Sequence, residues 1–560
     1  MMRFNTDAAA ARRYFRLSDP RFQDQIEGQI NPRTAARREE NYALMRRGLE
    51  ELKQFEKTPL TETQRKSLAI IRWDLETRVE GRAFDDYEFP FVQNGPGAHT
   101  SLVQLLTVNH PLNTARDAEN YIARLRLLPT RMDESIVEAR RIAGKGLRPP
   151  RFVLEQVALQ IRTFLEIPTA NSPLVSRFAE STTGIKDLSA ARRQELLSQA
   201  QQLTTSGVYP AWRRALALVE GEIPKATTDA GLWRFPNGSE AYEFALKRFT
   251  TTSLSPDEIH ALGLKMVAEL EDRMDGVLRQ LGYTEGTVRA RMDKMRADQP
   301  RFPDTAEGRA QYQSFIADIV RDAERRATQL FDRIPKMPVV AQAYPDFMGA
   351  RAPSYSLGAT DGSRPGTYQY PVVGVPLTRF GVRTVAYHEA IPGHHFQGAL
   401  QAEDTALPRF QQDGVFGNNS AIGEGWGLYA ERVVAEEGWY EGDLIGLLGQ
   451  LDAEVFRARR LVVDTGLHAK RWTRDQAIDY LGPNPAGSAV AEVERYVSNP
   501  GQACSYMIGE LKIIELRELA KKELGPRFSL REFHNRVLGA GRVPLDILDT
   551  VITNWIQSKA

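Results

Sequence analysis

Three of the chain's eight histidines, His388, His394 and His395, fall within eight consecutive residues. They lie in the segment YHEAIPGHHFQ, with Glu389 directly after the first of them. Imidazole nitrogens and carboxylate oxygens are the ligands a zinc ion takes when no thiolate is at hand. Cys504 is the sole cysteine, which excludes a thiolate cluster and an intrachain disulfide. In the motif HExxH, two histidines four apart on a helix reach one ion, and the glutamate acts on water there. Here the next histidine comes six or seven residues after His388, so a straight helix fails. Six residues turn the side chain about 120° off the face; seven restore the face but place it about 10.5 Å along the axis. Pro392 and Gly393 answer the problem. Proline removes a helical hydrogen bond and pushes on the carbonyl of His388, and glycine frees the backbone. The spacing predicts a kinked or bulged helix that brings His394 to the ion, with His395 as the alternative ligand or a supporting partner. The competing structural reading is a helix break that merely contains histidines.

A zinc site for catalysis needs a third protein ligand and an open fourth position. The segment NNSAIGEGWGLYAERVVAEEG reads as the following helix and offers Glu424 and Glu431, seven residues apart and so on one face. Glu424, between Gly423 and Gly425, is the expected ligand. Glu431 is the alternative ligand, an acceptor that orients a histidine ring, or a salt-bridge partner of a nearby arginine.

Hydrolysis also needs a donor for the oxyanion and a grip on the substrate. Tyr496, Tyr506 and His468 are the candidate donors. Pro500 and Gly501 break the block ERYVSNPGQACSYMIG and gather Arg495, Tyr496, Gln502 and Tyr506 around one turn. Arg495 and Gln502 there, and Arg364 in DGSRPGTY, are candidate substrate contacts, since arginine binds a carboxylate in two-pronged fashion. The structural alternatives are satisfied core tyrosines, a hydrogen-bonded histidine and a turn-stabilising arginine. His260 reads as a packing residue and Cys504 as a small buried apolar one.

The elements that must position these residues are mainly helices. Segments such as ARREENYALMRRGLEELKQF and DAENYIARLRLLPTRMDESIVEARRIAG repeat apolar residues at three- and four-residue spacing. Ser255 and Pro256 predict a capped helix start. Between about 336 and 385 the composition turns to Val, Tyr, Pro and Gly, which predicts short strands and loops. The fold class is therefore mainly α, a large helical body with a small β-rich insert beside the active-site helix. A division near residue 230 separates 1–230, a helical half expected to form one wall of a cleft, from 231–560, the catalytic half, within one integrated domain.

The 560 residues carry a formal charge of +1, with 42% hydrophobic and 26% charged residues. This is the composition of a globular protein, and it argues against a nucleic-acid partner. No apolar run of about 18 residues suggests a membrane span. The first residues lack the apolar core of a leader, which points to the cytoplasm; a periplasmic or secreted protein with its leader removed is the alternative.

The blocks HEAIPGHHFQ, EGWGLYAERV, RLVVDTGLHAKRWTRDQAIDYL and ERYVSNPGQACSYMIGELKI resemble a large bacterial family of domains of unknown function, DUF885. The resemblance extends to FPNGSEAYEFALKRFTTTSLSPDEIHALGL and DGSRPGTYQYP, from about residue 120 to the end. It implies a mostly helical, peptidase-like fold near the gluzincin metallopeptidases, which pair two histidines with a downstream glutamate. Many members are exported or lipid-anchored. The expected function is a hydrolase with one zinc ion, a metallopeptidase acting on short peptides or small amides, with Glu389 as general base. An esterase or non-peptide amidase and a catalytically inert binding protein are the alternatives. The residues leave the oligomeric state open.

Overall fold

In a computed structural model, residues 26–93, 97–344, 351–360, 362, 364–482 and 488–559 are described. The segment read above for a leader lies outside these residues. About 70% of the chain is helical. No helix among the described residues is long and apolar enough to cross a membrane. Two compact units divide the chain: Met1–Thr58 with Leu75–Ala230, and Pro59–Asp74 with Gly231–Ala560.

The first unit is helical throughout its described residues. Its core lies between α1 (Ala115–Gly144), α2 (Arg151–Glu166) and α3 (Tyr209–Glu222). Thr114 begins α1 with a capping box to Asp117, which satisfies orphan N–H groups at the helix start. The buried face, with Tyr121, Leu125, Leu128 and Met132, recurs every three or four residues. It meets Val157 and Ile161 of α2 and Trp212 and Ala215 of α3.

The second unit holds every candidate site residue. It contains α4 (Gly238–Thr250), α5 (Pro256–Gln280) and α6 (Ala306–Leu330). Ser255 caps α5 with a reciprocal bond to Glu258, and Pro256 takes the first helical position. A three-stranded sheet follows: β1 (Val339–Ala343), β2 (Ser354–Ser356) and β3 (Gly366–Tyr370). β3 is central, parallel to β1 from Val339–Gly366 to Ala343–Tyr370, and antiparallel to β2 with Tyr355 opposite Tyr368. Gly366, Tyr368 and Tyr370 alternate inward, the period-two pattern of a half-buried strand.

The rest is helical: α7 (Val382–Glu389), α8 (His394–Glu403), α9 (Ser420–Glu436), α10 (Leu444–His468), α11 (Ala489–Ser498), α12 (Ser505–Leu524), α13 (Leu530–Gly539) and α14 (Leu545–Lys559). α5 packs along α10, and α9 along α12. The α9–α12 pair is set by glycine. A Cβ on Gly509 would lie 1.9 Å from the Ala421 carbonyl oxygen, and one on Gly425 would lie 2.5 Å from the Gly509 Cα. The two backbones touch there, and Glu424 is the neighbour of that contact.

Gly509→Ala should therefore spread the helices and destabilise the protein by about 1–3 kcal/mol, as overpacking does. Gly276 sits exposed in α5 with nothing within 4 Å of its Cβ direction, so Gly276→Ala should stabilise by about 0.5–1 kcal/mol. Urea melts of the two variants test the contrast; a wild-type midpoint for Gly509→Ala would contradict it.

Candidate metal centre

The predicted kinked helix is instead two helices. α7 ends at Glu389 and α8 begins at His394. Proline at 392 cannot donate to the His388 carbonyl, so the ladder stops there. Ala390 leaves the helix with φ −106° and ψ −98°, and the Ile391–Pro392 bond is cis. Gly393 is required by space: a Cβ would lie 1.8 Å from the His388 carbonyl oxygen. Trp426 of α9 donates its indole N–H to the Pro392 carbonyl at 2.9 Å and ties the turn to the next helix.

This reversal brings the His388 and His394 rings edge to face, with centroids 4.6 Å apart. Glu424 Oε2 lies 3.5 Å from His388 Nε2 and 3.3 Å from His394 Nε2. These three side chains form a group whose ligand atoms all lie within 4.8 Å of one another. Donors held at about 2.1 Å from one ion at tetrahedral angles stand about 3.4 Å apart. The donor types and both measured separations therefore fit a single zinc ion.

Behind the three, His388 Nδ1 bonds Glu431 Oε1 at 2.6 Å. Glu424, Gly427 and Glu431 recur at three and four residues and line one face of α9. The imidazole lies across that face. A Cβ on Gly427 would come within 2.7 Å of its Cε1, so the glycine is the room the ring occupies. Burial alone lowers the His388 pKa, but hydrogen bonds to Glu424 and Glu431 override it and push the value up to about 9. Glu424 is half-buried, and desolvation acts to raise its pKa, yet His394 and His388 hold it well below the usual carboxylate range. Glu431 is fully buried, with Arg457 Nη2 at 3.6 Å. Glu510, buried beside these acids, is pushed well above the normal range by burial and by Glu454, so it adds little negative charge.

The two alternative ligands fall outside the group of three. His395 turns to the sheet, where its Nδ1 meets the Tyr355 hydroxyl at 3.0 Å; burial lowers its pKa to about 4. Glu431 takes the orienting place on the far side of the His388 ring. Glu389, half-buried at the end of α7, makes no hydrogen bond among the described residues. It acts electrostatically on His388 and on Tyr344 and Tyr368.

Of the three expected oxyanion donors, only Tyr506 makes no side-chain hydrogen bond among the described residues. Its ring lies nearly parallel to His388, with centroids 6.5 Å apart. Burial and the nearby Glu424 raise its pKa, which keeps the hydroxyl protonated as a donor. Tyr496 is corrected: its hydroxyl accepts from Arg460 Nε at 3.0 Å and donates to Glu492 Oε2 at 2.8 Å. His468 is corrected as well. Its Nδ1 accepts from the Leu232 N–H and its Nε2 bonds the Tyr496 carbonyl, while burial lowers its pKa to about 3. Both nitrogens serve the backbone.

The expected substrate contacts are also engaged elsewhere. Arg495 pairs with Glu492 and donates to Gln502, which in turn donates to Ser420. Arg364 is exposed and donates to the Leu357 carbonyl at 2.7 Å, the turn-stabilising role. Arg460 was not singled out from the sequence. It lies buried in α10, its guanidinium 4.4 Å over the Tyr506 ring, and pairs with Glu492 at 2.8 Å. Its neighbours Arg457 and Arg459 in FRARRLVV leave no local signal that singles it out. Arg542, also missed, has no local signal, since its partners Gln397 and Asn418 are more than a hundred residues distant.

The described residues form a mainly helical fold that carries this His–His–Glu group. The chain belongs to the family described as bacterial protein of unknown function, DUF885, which it matches over residues 18–552. The crystal structure of a candidate lipoprotein from Colwellia psychrerythraea is 31% identical, with a TM-score of 0.89, covering 99% of this chain and 97% of that one. A candidate lipoprotein of unknown function from Shewanella oneidensis shares the fold at 19% identity and a TM-score of 0.70, over 94% of each chain. No curated protein matches.

Protein dialysed against zinc should retain about one equivalent by elemental analysis, and Glu424→Gln should lose it. Glu431→Gln should lower zinc affinity about 10–100-fold, the usual effect of removing an outer partner. Gly427→Ala should do the same by displacing the ring. Unchanged zinc content in Glu424→Gln would exclude it as a ligand.

Proposed function

We propose that this protein is a metal-dependent hydrolase, a gluzincin-like zinc metallopeptidase that cleaves short peptides. The convergence of His388, His394 and Glu424, with Glu431 bonded to the far side of the His388 ring, carries the reading. Buried charges are costly unless paired or bound to metal. Two imidazoles and one carboxylate at ligand spacing, with His394 and Glu424 partly exposed, suit a hydrolytic centre.

Zinc held there would supply Lewis acidity to a water molecule and to the substrate carbonyl. The chain supplies the rest. The Glu389 carboxylate, adjacent in sequence to His388 and with no hydrogen bond among the described residues, accepts the proton that water loses as its oxygen joins the carbonyl carbon. The C–N bond then breaks, and the same carboxyl returns the proton to the departing amine. The Tyr506 hydroxyl donates to the oxygen that gains negative charge. Arg460, stacked on the Tyr506 ring and anchored by Glu492, holds that phenol in place.

A peptide library and simple esters, assayed with zinc and with chelator, test the reading. Peptides should be turned over and chelator should stop the reaction. Ester turnover alone would replace the peptidase with an esterase, and no turnover would favour a binding protein. Glu389→Gln should retain zinc yet lose about 10²–10⁴ in rate, and Tyr506→Phe about 10²–10³. Full activity of Glu389→Gln would remove it from the proton-transfer role.

A further inference from the structure

Arg542 stands in the loop between α13 and α14. Its side chain is half-buried, and its hydrogen-bond partners are all neutral. Nε donates to Gln397 Oε1 at 3.1 Å and Nη1 to Asn418 Oδ1 at 3.1 Å. It forms no ion pair among the described residues, and its Nη2 has no acceptor there while keeping contact with solvent. The buried arginines of this unit are matched with acids: Arg460 with Glu492, Arg517 with Glu436, Arg291 with Asp275.

Its placement is built, not incidental. His394, Gln397 and Gln401 share one face of α8. Gln397 accepts from Arg542 and donates to the Ile422 carbonyl of α9 at 3.1 Å. Gln401 accepts from the Arg542 backbone N–H at 2.9 Å. Gln411 donates to the Ala540 carbonyl at 3.0 Å and fixes the same loop. The helix that carries one imidazole of the metal centre therefore also aims the arginine. The guanidinium lies over the first turn of α9, with Cζ 3.7 Å from where a Gly423 Cβ would be, one residue before Glu424. Burial lowers its pKa, and Glu424 and Tyr355 act on it in the opposite sense. A guanidinium stays charged even so.

We infer that Arg542 is the anchor for a carboxylate of the substrate, held beside the metal centre. Its Nη2 has no acceptor among the described residues, and a carboxylate accepting from it is the ligand the planar fork matches. Arg542 lies over the turn of α9 that carries Glu424, so a substrate gripped at both has its carboxylate close to the scissile bond. The inference deepens the hydrolase reading and rests on it. It assigns the site to peptides with an α-carboxylate or an acidic side chain next to the cleaved bond.

Calorimetry on the zinc-loaded protein tests this without turnover, using N-acetylalanine, N-acetylalaninamide and the α-amide of N-acetylaspartic acid, which keeps its side-chain carboxylate. At least one acid should bind tenfold or more tightly than the uncharged amide. N-Acetylalanine as the tighter ligand identifies the α-carboxylate, and the aspartic compound an acidic side chain. The preference should vanish in Arg542→Gln and shrink in Arg542→Lys, with zinc content unchanged. Should Arg542→Gln melt well below wild type, Arg542→Lys alone carries the comparison, since it keeps a charge for Gln397 and Asn418 but lacks the fork. Equal binding of acids and amide, or a preference that survives both substitutions, would overturn the assignment. Failure of the hydrolase reading is separate: it appears as no peptide cleavage by the wild type.

Discussion

The imidazole of His388, laid across one face of α9, is the contact on which the site depends. Glu424 approaches one ring nitrogen, Glu431 bonds the other at 2.6 Å, and Gly427 between them leaves the space the ring fills. Both nitrogens are thereby committed in direction, Nδ1 inward and Nε2 toward the donor group. A histidine ring with a fixed orientation is what a metal ligand needs, because a free rotor loses entropy on binding. The helix face does this with a single three–four–residue repeat.

Around that contact the structure manages a concentration of buried charge. Glu431, Glu454 and Glu510 lie fully buried. Arg457 approaches Glu431, Arg432 bonds Glu454, and burial leaves Glu510 neutral. On the other side, Arg460 and Arg495 share Glu492, with the Tyr496 hydroxyl between. Such networks are costly to bury unless every member is paired. Their role here is to fix the positions of α10, α11 and α12 around Tyr506, the one candidate donor that makes no side-chain hydrogen bond among the described residues.

The chain break between α7 and α8 shows how an irregular turn can replace a regular motif. A straight helix would hold two histidines six residues apart on different faces. Ending one helix at Glu389 and starting another at His394 decouples the spacing from the helical period. Trp426 and the Gly393 approach to the His388 carbonyl hold the turn closed. α8 then projects His394 toward the donors and Gln397 toward Arg542 from one face.

The sequence alone determined the helical character, the β-rich stretch before the histidines, and the short set of candidates from which His388, His394 and Glu424 come. Those features are local: apolar periodicity, a Pro–Gly interruption, and carboxylates seven apart on one helix. Only the tertiary structure decided between His394 and His395, because the direction taken by α8 depends on α9 and the sheet and not on the spacing. It alone turned Tyr496, His468, Arg495 and Arg364 to other partners, since a polar side chain's duty is set by whatever lies opposite it. Arg460 and Arg542 came to light for the same reason. Their partners are brought together by folding from distant parts of the chain, and no neighbouring residue records that encounter.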